Sequence, residues 1–82
     1  MKVKNRLGLH IRPATVIVKM LQGVRSSVLF TLRGQTVNAK SIMSLLVLSA
    51  QKSAKISIVV EGEDASVVME KLLVGFENQF GE

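Results

Sequence analysis

The apolar side chains of this 82-residue chain switch repeatedly between a spacing of two and a spacing of three to four, and the order of the switches narrows the folds open to it. Residues 1–6 alternate weakly, with Val3 on the inward side, and read as a first strand. Ala14, Ile17, Val18 and Leu21 recur at helical intervals, predicting a helix over 11–22 with Gly23 as its stop. Residues 27–33 are rich in β-formers and set Val28, Phe30 and Leu32 on one face. Arg33-Gly34-Gln35 makes a tight hairpin into a short strand over 36–38. A second helix follows over 41–48, apolar almost all round, with Ser41 as its N-cap. Residues 55–61 alternate again through Ile56, Ile58 and Val60. Gly62-Glu63 turns into a last helix, with Asp64 as N-cap and Val68, Leu72, Phe76 and Phe80 at intervals of four. The order β-α-β-β-α-β-α predicts an α+β open-faced sandwich, a four-stranded, mostly antiparallel sheet covered on one face by three helices. A single domain over 1–82 is expected, because the length suits one core and no linker or repeat divides it.

Several classes of protein fall away on composition. An apolar share of 48% argues against disorder. No stretch approaches the roughly 18 apolar residues of a membrane span; the longest run, over 16–21, is broken by Lys19. The N-terminus lacks the pattern of a secretory signal. With no cysteine, disulfides and thiolate metal sites are excluded, and a cytoplasmic location is expected. The net charge is +5, but the bases crowd the first two thirds and every acid falls from Glu61 onward. That asymmetry predicts an acidic partner or an anionic ligand for one face. A small basic domain can also bind nucleic acid. With only Phe30, Phe76 and Phe80 as aromatics, and no basic block interleaved with rings, a stacking platform is absent and no nucleic-acid partner is expected.

The chemistry gathers at the only histidine, His10, in Gly8-Leu9-His10-Ile11-Arg12-Pro13-Ala14-Thr15. Pro13 is a helix-start signal, so His10 belongs at or beside an N-cap, where free N–H groups and the helix dipole favour an anion. Arg12 adds a fixed charge able to grip phosphate or carboxylate. A lone histidine often does no more than cap a helix. Metal binding is not expected, because no second histidine or cysteine completes a site. A nucleophilic nitrogen beside an anion pocket is instead a candidate phosphoryl acceptor.

Gly8-Leu9-His10-x-Arg12-Pro13-Ala14-Thr15 resembles the active-site motif of the HPr family, the histidine phosphocarriers of the bacterial phosphoenolpyruvate-dependent sugar phosphotransferase system. Asn38-Ala39-Lys40-Ser41-Ile42-Met43 is similar to the family's regulatory serine region. The resemblance covers nearly the whole chain, and the family shares the element order read above. It implies a shuttle in which enzyme I passes a phosphoryl group to Nδ1 of His10, Arg12 stabilises the phosphate, and EIIA domains receive it. The protein would be a stoichiometric transfer intermediate rather than an autonomous enzyme, needing neither cofactor nor metal. It also implies regulation by an HPr kinase/phosphorylase acting on Ser41. Partner docking would fall on Ile42, Met43 and Leu46, with Thr15, Lys19 and Lys40 contributing. A monomer is the simplest state for a carrier that exposes His10 to several partners.

Four positions depart from the family pattern. Ile11 stands where a small residue is usual, and Leu7 where a polar one often occurs. Ser49 and Ser53 occupy places commonly held by glycine, so the turn after the second helix is expected to differ. Two alternatives accompany the carrier reading: a related regulatory phosphorelay protein uncoupled from sugar uptake, and a small basic nucleic-acid module. Purely regulatory relatives often lack the histidine, which favours transfer.

Overall fold

A computed structural model describes residues 1–48 and 50–81. The elements run α1 (Ile11–Met20), β1 (Ser27–Leu32), β2 (Gln35–Asn38), α2 (Ile42–Leu48), β3 (Ser57–Glu61), α3 (Ala65–Glu77) and a 3₁₀ turn over Gln79–Gly81. The sheet order is β2-β1-β3, antiparallel throughout. In β1, Val28 and Phe30 are buried, paired with Val60 and Ile58 of β3, while Leu29 pairs with exposed Val59 on the open face. Ala14 and Ile17 of α1, Leu45 and Leu48 of α2, and Val68, Leu72 and Phe76 of α3 complete the core. The α+β open-faced architecture therefore follows the period switches in the chain.

Three strands form among the described residues, not four. The N-terminal segment meets 53–56 through Val3 N to Ala54 O (2.9 Å), Ser53 N to Val3 O (2.7 Å) and Ile56 N to Met1 O (2.6 Å). Only Lys2–Lys55 is a full bridge. The ladder is short because both sides curve away from it. Ser53 is left-handed (φ 74), and beyond Val3 the chain enters a turn closed by Gly8 N to Asn5 O (3.0 Å). Asn5 is fully buried, and its Nδ2 donates to Gln79 O (2.7 Å) instead of extending the sheet. Nearby, Lys4 and Glu77 form an exposed ion pair at 2.7 Å, a contact of small energy. Ser49, expected to alter the turn after the second helix, lies outside the described residues.

The third helix also departs from expectation at both ends. Phe80 does not continue its stripe: the chain reverses through left-handed Gln79 (φ 56) and Phe80 (φ 51). That brings the Phe80 ring over Gly75 and edge-on to Phe76, with centroids 5.0 Å apart. Asp64 stands at the N-cap position but makes no side-chain cap hydrogen bond. Its carboxylate reaches across the fold to accept from Arg25 N (3.0 Å), Ser26 N (2.9 Å) and the Ser26 hydroxyl. The Ser26 hydroxyl first, then the Arg25 N–H, hold the carboxyl down to about 2 from 3.8.

Because the unfolded chain binds that proton more readily, the stabilisation is complete above pH 3.8 and lost as pH falls toward about 2. Urea unfolding across this range should show wild type and Asp64→Asn furthest apart above pH 3.8 and converging below it. A separation independent of pH would contradict the assignment.

Candidate functional site

His10 is the N-cap of α1, with extended backbone (φ −85, ψ −166) and no side-chain cap hydrogen bond. It is placed by two contacts with the chain that follows α2. Gly8 lies against Ala50 and Gln51 so closely that a Cβ there would be 2.3 Å from Ala50 O, and Leu9 N donates to that same oxygen (2.8 Å). Gly8 itself is left-handed (φ 72), where glycine carries no penalty. The loop before the histidine is thus clamped from one side, while buried Leu9 and Pro13 anchor it from below.

The imidazole is half-buried, and its Nε2 is shut away from solvent. Pro13 removes one N–H from the first helical turn and Ala14 N is taken by His10 O (3.0 Å), while among the described residues no hydrogen bond engages the Ile11 and Arg12 N–H groups. No acidic residue occupies that turn to offset the dipole. Arg12 is exposed, and among the described residues no hydrogen bond or ion pair engages its guanidinium. The site therefore combines one imidazole, one available guanidinium and two backbone donors.

The other expected residues divide in character. Ser41 caps α2, its Oγ accepting from Ser44 N (3.3 Å), as expected of an N-cap. In α2, Ile42 and Leu46 are half-buried against the core and Met43 is exposed. Lys40 Nζ donates to Val24 O (2.8 Å), so this ammonium is tied to the scaffold, whereas Lys19 is exposed. Thr15 Oγ1 donates back to Ile11 O (2.6 Å) within its own helix. Packing of α1 on α2 brings the histidine and serine helices together.

Asn5 and Ala50 were not anticipated as site supports. Asn5-x-x-Gly8 does carry a turn signal, asparagine at the first position and glycine at the fourth. Ala50 offers no such signal, because it acts through its carbonyl. A cleft of about 630 Å³ runs between α1 and α3, lined by Val16, Met20, Val67 and Phe80 among others, but His10, Arg12 and Ser41 do not line it. His10 instead sits half-buried at the start of α1, outside that cleft. An imidazole and an available guanidinium at one helix start suit a domain that carries a group on a histidine.

Comparison with known proteins narrows the class. A family model described as the PTS HPr component phosphorylation site matches residues 1–78. The phosphocarrier protein HPr of Chlamydia pneumoniae is 42% identical over 98% of this chain and 74% of its own. HPr of Thermoanaerobacter tengcongensis superposes with a TM-score of 0.94 at 32% identity, covering 100% of this chain and 92% of that one. The Bacillus subtilis catabolite repression protein Crh, solved as a dimer with a swapped domain, gives 0.81 at 32% identity, covering 96% and 91%. The chain belongs to the HPr family of phosphotransferase-system phosphocarriers.

Proposed function

We propose that this chain accepts a phosphoryl group from enzyme I on Nδ1 of His10 and delivers it to EIIA domains. The observation that carries this reading is the histidine's setting: a half-buried ring with Nε2 sealed off, beside an available Arg12 and a first helical turn that holds no acidic residue. The burial of Nε2 agrees with the family resemblance, which points to Nδ1 as the reacting nitrogen. Its lone pair forms the new bond to phosphorus as the bond to the donor breaks. Arg12 and the Ile11 and Arg12 N–H groups stabilise charge on the phosphoryl oxygens, and alignment supplies most of the rest. The same groups suit both directions, since the phosphoryl group must leave as easily as it arrives.

Ile42, Met43 and Leu46 form the docking face, with Thr15 and Lys19 beside it and Lys40 fixing its edge. Soft Met43 suits a surface that meets several partners. In this reading the protein works in the cytoplasm as a monomer. Ser41 is the regulatory position: a phosphate there sits on the α2 terminus and puts two negative charges beside an apolar docking face, discouraging enzyme I without unfolding the domain. Ser41→Asp should therefore slow phosphorylation by enzyme I at least tenfold. An unchanged initial rate would remove the regulatory role. Likeness to Crh favours a second reading, a regulatory phosphorelay in which phospho-His10 or phospho-Ser41 signals without sugar uptake.

The test is to incubate the protein with phosphoenolpyruvate, Mg²⁺ and enzyme I of its own organism. Acid-labile, base-stable phosphate on Nδ1 of His10, followed by transfer to an EIIA domain, is expected. No uptake from a competent enzyme I would end the carrier reading; uptake without onward transfer would favour the regulatory one.

A further inference from the structure

We infer that the cleft between the β1–β2 turn and the chain following α2 binds a small phosphate ester, held by Arg33 and Lys52. The cleft measures about 520 Å³, the size of a site for a small organic molecule rather than for a bare ion. Arg33 and Gln35 enter it from the hairpin, and Gln51, Lys52 and Ser53 from the segment after α2. None of His10, Arg12, Ile42, Met43 and Leu46 lines it, so it is distinct from the acceptor site and from the docking residues.

Its charge calls for an anion. The lining holds two cations and no carboxylate. Among the described residues, no hydrogen bond or ion pair engages either cation. Two like charges on one recess repel until an anion joins them, and a cleft of one sign concentrates counter-ions.

Two backbone positions point the same way. Arg33 (φ 52) and Ser53 (φ 74) are both left-handed, in a region that only glycine enters without penalty. Gln79 and Phe80 share that region, and there the packing of the Phe80 ring on Gly75 gives the reason. Arg33 and Ser53 are exposed, so no core packing compensates them. What each contributes is a side chain in this cleft, a guanidinium from the hairpin and a hydroxyl from the segment opposite. A phosphate monoester is close to a dianion near neutral pH, which matches the two cations, and the planar Arg33 fork suits two of its oxygens. The Gln35 and Gln51 amides and the Ser53 hydroxyl suit a hydroxyl-bearing body on the ester.

Amide chemical shifts of the isotope-labelled protein test this without enzyme I, in titrations with ribose 5-phosphate, ribose and inorganic phosphate at one ionic strength. Saturable shifts at Arg33, Gln35 and 51–53 are expected with ribose 5-phosphate at a Kd of about 1 mM, with inorganic phosphate about tenfold weaker and ribose without effect. Arg33→Gly should weaken binding about tenfold without lowering Tm, because glycine suits the left-handed turn. Lys52→Gln should weaken it about fivefold, whereas Lys55→Gln, which removes an exposed cation outside the cleft, should leave it unchanged. No saturation in wild type, equal affinity for inorganic phosphate, or an equal loss in Lys55→Gln overturns the inference. None of these outcomes bears on transfer at His10, which the enzyme I assay decides separately.

Discussion

Replacing His10 with alanine is expected to abolish phosphoryl uptake from enzyme I while the domain stays folded. Loss should be complete, because this is the only histidine in the chain and no cysteine offers a substitute nucleophile. The fold should tolerate the change, since the side chain gives α1 no cap hydrogen bond and the ring is only half-buried. A Tm decrease of about 5 °C is expected, the equivalent of about 1 kcal/mol in a domain of this size. Arg12→Ala should still label at His10 but roughly a hundredfold more slowly, the cost of one preorganised charge at a developing anion. Arg12→Lys should recover part of that rate, as a point charge without the planar fork. Quench-flow labelling and thermal unfolding measure both sides of the comparison. Residual label in His10→Ala, or phosphate on Nε2 in wild type, would contradict the assignment.

The second large effect is structural and reaches the same atom. Gly8→Ala places a Cβ 2.3 Å from Ala50 O at a left-handed position (φ 72), so the substitution carries both a conformational and a steric penalty. The first is about 1–2 kcal/mol. The second cannot be relieved by a side-chain rotation, because the obstacle is backbone. Gly23→Ala separates them: that glycine has φ 77 with nothing within 4 Å, so only the conformational part remains. Gly8→Ala should therefore lower Tm by about 10 °C or more, and Gly23→Ala by less. In the fraction that stays folded, the loop must lift away from Ala50, and transfer should slow about a hundredfold with the displaced ring. Equal stability losses in the two variants would show that the clamp on Ala50 is unimportant.

The residues that could be read from the chain and those that could not differ in the range of their contacts. β1, β2, α1, α2 and α3 are all announced by short-range periodicity, and His10, Arg12 and Ser41 stand in local motifs. Their neighbours at the helix starts are local too. Asp64 looked like a cap because local chemistry favours one, yet its carboxylate answers Arg25 and Ser26, 39 and 38 residues away. Phe80 keeps the spacing of its helix, but packing on Gly75 outweighs two left-handed residues without any glycine to signal them. The first strand shrinks to one bridge because Asn5, spaced to continue it, turns its amide to Gln79 instead. Phe80 packs on Gly75 only after a left-handed reversal, whereas Asp64 and Asn5 are side chains whose partners lie far along the chain. The clamp on the acceptor loop is of the same kind, since Ala50 contributes a carbonyl that every residue type possesses.

The bond between Asn5 and Gln79, separated by 74 positions, orders events in time. Synthesis runs from the N-terminus, so His10 is made well before Gln79, whose carbonyl holds Asn5 in the turn that leads to the histidine. A partly made chain carries the imidazole but has no Gln79 to hold Asn5 in place, and closing so long a loop gains its reward only when both ends exist. The turn before His10 is thus fully held only once Gln79 has been made. Chains released before Gln79 present His10 without this part of its support.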